Sequence, residues 1–291
     1  MKKVLKYRLF GVAGLAGLLL LTLAGCHKDD TQTTLRVKRA GYQPQQVEKT
    51  YIGTGLQDMV VGWSSGDQVK INGTQCSLSN INVDYAEINV GSASSPYYAV
   101  YPYSSSNTAS ASGGSVTIPS SQTYTLSGGN QVIDAPMAAY MSASNGYIYF
   151  RNVASLLRVA VMNGNENSTF TVNSISVYDE DSSSNAVILC GSMQYSFNGE
   201  TQTNDITTGN VTGYSKVVLD NCSTAGAISA GDMKVFNIVV PPYSTLKKLT
   251  FVVNGSLGSA AAKDYTITQN TARTLSHGEV AVQFFATNFD R

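Results

Sequence analysis

The chain has 291 residues, of which 43 % are hydrophobic and only 13 % charged, about half the ~25 % charged share of an ordinary globular protein. Four of its 19 Lys and Arg (Lys2, Lys3, Lys6 and Arg8) precede residue 26 and none of its 19 Asp and Glu does, so the remainder carries a net charge of −4. No basic field for nucleic acid exists in such a chain, and Ser, Thr, Asn, Gln and Tyr must supply most of its polar surface.

The basic start is followed by an uncharged run of 17 residues, Leu9 to Gly25, shorter than the ~20 residues a spanning helix needs. Residues 1–25 therefore read as a secretion signal. Leu23-Ala24-Gly25-Cys26 resembles the bacterial lipobox, which implies that Cys26 takes lipid and becomes the mature N-terminus, held in the membrane by buried acyl chains. His27-Lys28-Asp29-Asp30 looks like the acidic export tag of surface lipoproteins in the Bacteroides group.

Next comes Thr34-Leu35-Arg36-Val37-Lys38-Arg39-Ala40-Gly41. Leu35 and Val37 point one way and Arg36 and Lys38 the other, so the segment can pair in a sheet with its apolar side inward. Beyond Tyr42 no stretch keeps a helical apolar period. Short or period-two apolar runs dominate instead, at 59–63, 68–71, 97–101, 147–150, 156–161, 170–178, 216–219, 234–240, 249–253 and 279–286. Gly, Ser, Asn and Pro clusters separate them, which is the pattern of an all-β sandwich or barrel. The length suits two domains, 40–148 and 149–291, joined near Ser144 to Asn152 behind a tether and strand at 26–39. Ser104 to Ser115, rich in Ser and Gly, reads as a flexible surface loop. Leu157, Val159 and Val161 mark the inward face of a half-buried strand, and Val280, Val282, Phe284 and Ala286 form one apolar face near the C-terminus.

Chemistry-bearing patterns are sparse. His27 and His277 are the two histidines and neither has a partner cluster in sequence, so His-based catalysis and His-rich metal sites are not expected. There is no G-x-S-x-G, P-loop or H-E-x-x-H. Asp179-Glu180-Asp181 opens like a calcium loop, but Ser184 and Cys190 stand where glycine and glutamate are needed, so it reads as a solvated turn. Beyond Cys26 the cysteines are Cys76, Cys190 and Cys222, which allow one bridge, Cys190 to Cys222, or three small core side chains. The sequence thus points to no enzyme, no cofactor and no metal. Trp63 reads as a core or domain-corner aromatic.

Several stretches, in order, resemble the fimbrillin family of Bacteroides-type pilus subunits: Trp63-Ser64-Ser65-Gly66-Asp67-Gln68-Val69, Tyr98-Ala99-Val100-Tyr101-Pro102, Ala135-Pro136-Met137-Ala138-Ala139, Phe150 to Val159, and Val239-Val240-Pro241-Pro242. The resemblance implies two tandem β-sandwich domains of transthyretin-like, Greek-key topology. It implies a lipoprotein that reaches the outer-membrane surface, loses its N-terminal segment to an Arg-specific protease after Arg39 or Arg36, and joins an extracellular fimbria. Loss of the strand bearing Leu35 and Val37 opens a groove, and a neighbour's strand fills it. The C-terminal strand with Val280, Val282, Phe284 and Ala286 is a candidate donor or simply closes its own sheet. Expected partners are other pilin subunits, the protease, membrane lipid before cleavage, and a host or bacterial surface ligand. The alternative is a surface-anchored glycan-binding lipoprotein, suggested by 17 Tyr and one Trp.

Overall fold

The computed structural model describes residues 33–39, 63–82, 85–127, 129–143, 146–179, 186–269 and 271–287. In chain order the strands are β1 (Thr34–Arg39), β2 (Gln68–Ile71), β3 (Thr74–Ser79), β4 (Ala86–Asn89), β5 (Tyr97–Tyr101), β6 (Thr108–Ser110), β7 (Gly113–Ile118), β8 (Ser121–Thr123), β9 (Leu126–Ser127), β10 (Asn130–Gln131), β11 (Met137–Met141) and β12 (Tyr147–Asn152). They continue as β13 (Ser155–Met162), β14 (Phe170–Asp179), β15 (Cys190–Phe197), β16 (Ile206–Tyr214), β17 (Lys216–Asp220), β18 (Met233–Val240), β19 (Tyr243–Lys247), β20 (Leu249–Leu257), β21 (Lys263–Thr268), β22 (Arg273–Leu275) and β23 (Val280–Ala286). A 3-10 turn at Cys222–Ala225 is the sole helical element among the described residues. No helix there is long and apolar enough to cross a membrane. The all-β expectation holds.

Seven strands, in the order β1-β12-β11-β5-β2-β3-β4, close into a barrel. Period-two alternation sends Leu35, Val37, Val69, Ile71, Cys76, Leu78, Ala86 and Ile88 into its core, where all are buried. Trp63 joins this core although it lies outside any strand. The turn that follows needs Gly66 at φ 94°, which a side chain would strain.

A second, larger core is built by sheets β18-β13-β23, β21-β20-β14-β17-β8 and β16-β15-β7-β6. Pairing crosses the expected division near residue 148, because β7 pairs with β15 and β8 with β17. The two cores share a wall. On β5 and β11, Ala99, Tyr101, Met137 and Ala139 face the barrel core, while Val100 and Ala138 belong to the second.

Two expectations need correction. The Ser/Gly stretch 104–115 is not a loop throughout; it contains β6 and the start of β7, a hairpin laid against β15. Glycine is there for close approach: a Cβ on Gly113 would lie 2.0 Å from the Tyr195 carbonyl oxygen, and one on Gly114 would lie 1.9 Å from that of Thr108. Strand β13 is buried on both faces rather than one, because it is central between β18 and a parallel β23. Even Arg158 is enclosed, its Nε–H donating to Asn237 Oδ1 at 2.9 Å. Of the two readings of the cysteines, the second is what the structure holds: Cys76, Cys190 and Cys222 are free, buried core side chains.

The outer edge of β18 is closed by side chains. Gln122 donates to the Val239 carbonyl at 2.7 Å and accepts from its N–H at 2.9 Å, and Gln131 does the same at Asn237, both at 2.8 Å. Two amides thus stand in for a missing strand.

Candidate functional site

The site is the strand that seals the barrel. β1 runs parallel to β12, with Arg36, Val37, Lys38 and Arg39 opposite Tyr147, Ile148, Tyr149 and Phe150. On its other side it runs antiparallel to β4, with Thr34 to Val37 opposite Asn89 to Ala86. It is the single link between β4 and β12, so the barrel without it is an open sheet with a strand-wide slot. Beyond Val37 its described pairing is to β12 alone.

Side chains follow the expected alternation. Leu35 and Val37 are 2 % and 0 % exposed and point into the barrel core. Arg36 and Lys38 lie outside over tyrosines. The Arg36 guanidinium carbon sits 4.6 Å from the Tyr85 ring centre, its Nη1 donates to Tyr147 Oη at 3.3 Å, and its Nε is 3.6 Å from Glu87 Oε1. Lys38 Nζ is 4.3 Å from the Tyr147 ring centre. The hydrogen bond to Tyr147, then the nearby phenols and Glu87, raise the Arg36 pKa.

Arg39 behaves differently from the other two basic residues. The parity that sends Leu35 and Val37 inward also sends Arg39 inward, where its guanidinium lies 4.4 Å over the Trp63 ring. All three guanidinium nitrogens are shut off from solvent and have no hydrogen-bond partner among the described residues. Burial pushes its pKa down to about 10, against the pull of Tyr101 and Asp67. It therefore stays charged at neutral pH, held by a ring face and by the Asp67 carboxylate at longer range.

The walls around it are equally specific. Trp63 is 6 % exposed and meets Tyr101 and Phe150 edge-on, with ring centres 5.4 and 5.3 Å away. Tyr101 Oη lies 3.1 Å from Asp67 Oδ1 and 3.0 Å from Asp134 Oδ1. A phenol has one proton, so it serves one carboxylate at a time. Burial raises the Asp67 pKa, opposed by the Ser64 N–H that donates to Oδ2 at 2.7 Å, by Tyr101 and by Arg39. Burial and both carboxylates hold the Tyr101 phenol protonated far above its ordinary range. Sequence reasoning singled out Arg39 and Trp63 separately and did not join them, and Asp67 entered only as part of the Trp63–Val69 stretch.

The C-terminal strand is placed otherwise than its sequence pattern suggested. β23 lies parallel to β13. Val280, Ala281 and Phe285 are buried, whereas Phe284 is 56 % exposed and Ala286 is exposed. The alternating set Val280, Val282, Phe284 and Ala286 therefore turns outward toward its C-terminal end, and the opposite side carries Phe285. Cys26 and residues 1–25 lie outside the described residues, as do most of the acidic loop after Asp179. Asp179 itself is no solvated turn: Oδ2 accepts from the Val187 N–H at 2.8 Å and pairs with Lys247 at 3.5 Å. Among the described residues no group of three potential metal ligands occurs.

No family model matches the chain, and no curated protein matches it. Among solved structures it is similar to a candidate cell adhesion protein from Bacteroides ovatus, with 14 % identity over 77 % of this chain and 83 % of that one and a TM-score of 0.42. It is also similar to a variant of the major pilin from Streptococcus pyogenes, with 10 % identity over 87 % and 90 % of the two chains and a TM-score of 0.18. At these values neither assigns a family.

Proposed function

We propose that the chain is a structural subunit of a cell-surface fimbria, carried to the outer membrane as a lipoprotein on Cys26, cut after Arg39, and polymerised by donor-strand exchange in support of adhesion. The observation that carries this reading is β1: a strand from near the N-terminus, just behind the lipobox-like segment, that alone closes the barrel between β4 and β12. Its departure uncovers Leu35 and Val37 contacts at ~1.5–3 kcal/mol each and the ladder groups of two neighbouring strands at ~0.5–1.5 kcal/mol per bond. A strand from the next subunit restores both. Head-to-tail repetition that does not close on itself gives a filament.

Arg39 favours a specific order of events. Its enclosed side chain has to leave Trp63 before a protease can take it, and the end of β1, paired to β12 alone, is where the strand peels first. Arg36 has a more exposed side chain but sits in mid-strand between two partners. N-terminal sequencing of sheared surface filaments tests the proposal. Ala40 as first residue is expected; filaments that retain acylated Cys26, or start elsewhere, overturn the processing step. The glycan-binding alternative loses one of its two supports, because Trp63 is enclosed.

A further inference from the structure

Cleavage after Arg39 leaves Arg39 on the departing fragment, so strand loss also takes away the cation that lies over Trp63 and interacts with Asp67. What stays behind is Trp63, 6 % exposed while β1 is in place, its Nε1–H without a partner among the described residues, beside two carboxylates that share one phenolic proton. Like charges at one site repel: Asp134 raises the Asp67 pKa and the Arg39 cation lowers it, so an ionised Asp67 calls for a counter-charge here. An apolar side chain at this position would fill the space but leave that demand unmet. A basic one meets it, and the indole face accepts either guanidinium or ammonium.

We infer that Trp63, Asp67, Tyr101 and Asp134 form a cation socket that selects the incoming strand, taking an Arg or Lys side chain from a second copy of this chain at the register position of Arg39. The inference rests on the strand-exchange reading. It adds a rule that apolar alternation lacks. Two inward apolar residues fit many strands, and a strand slipped by two keeps its apolar face inward; a cation two positions after the last apolar residue fixes one register. In the sequence that follows β23, Phe289 and Arg291 stand to each other as Val37 and Arg39 do, with Thr287 at the place of Leu35. Arg291 of the neighbour is the side chain we assign to the socket.

The test uses the chain from residue 27 onward, cut once at Arg39–Ala40 by limited digestion and checked by mass spectrometry. Amidated fluorescent peptides of residues 33–39 then exchange with the freed strand. The native peptide and its Arg39→Lys form are expected to bind, and the Arg39→Ala form to bind roughly tenfold more weakly, as a desolvated cation–π contact implies. A Trp63→Leu, Asp67→Asn receptor should erase that difference while still binding all three. A peptide of residues 285–291 should compete, and its Arg291→Ala form should compete roughly tenfold less well. Equal binding of the native and Arg39→Ala peptides overturns the socket and leaves strand exchange standing. Binding of none overturns strand exchange, and the socket with it. Equal competition by the two tail peptides overturns the assignment of Arg291.

Discussion

Arg39 shows what a single residue's parity decides. In a strand, residues two apart share a face, so the alternation that makes Leu35 and Val37 inward makes Arg39 inward too; that much was legible in the sequence. Its partner was not, because Trp63 precedes β2 by a turn and joins the barrel core through folding alone. The cysteines belong to the same scale. Burial pushes the Cys222 thiol up to about 12 and also raises Cys76 and Cys190. Thiols that stay protonated and enclosed do not attack disulfide reagents, so we expect no reaction at pH 8 in the folded protein and reaction of all three after urea unfolding. The sign of the linkage follows. The folded state keeps protons that the unfolded chain gives up above pH ~9, so stability falls as pH rises from there through about 12. Tyr243, also pushed up to about 12, and Tyr195, raised by burial, act in the same direction. Urea midpoints at pH 8 and pH 10.5 check this, and an unchanged midpoint would contradict it.

At the scale of elements, strand positions were readable wherever apolar runs met turn residues: β5, β12, β14, β17 and β18 lie where the sequence places them. The 104–115 hairpin was hidden because its strands are held by backbone approach at glycine rather than by apolar side chains, which leaves no pattern to read. The glutamine clasp on β18 was hidden for a related reason. Gln122 and Gln131 are distant in sequence from Val239 and Asn237, and nothing local marks a glutamine as a strand substitute. Each clasp satisfies a backbone N–H and C=O on a buried stretch, so Gln122→Ala and Gln131→Ala should each cost about 1–3 kcal/mol. Urea unfolding is expected to show lower midpoints with an unchanged slope. Loss of both should expose a strand edge and favour aggregation, read by light scattering.

At the scale of the molecule, the division at residue 148 was inferred from a change in composition, but composition does not reveal pairing. Strands β7 and β8 come from the first half and sit in sheets of the second. Strands β5 and β11 present alternate residues to both cores, so neither core can lose its shared wall and remain packed. One cooperative thermal transition is therefore expected, with calorimetric and van't Hoff enthalpies in agreement. Two separated transitions would show that the cores melt independently.

The shared wall has a mechanical consequence. A strand seated in the slot would lie lengthwise between two neighbours, and tension along it would load its transverse hydrogen bonds in shear, many together rather than one after another. Force entering there reaches β11 through β12 and passes straight into the larger core, with no slack connector on the way. In the proposed fibre, such units would resist stretching at the joints and within each bead alike.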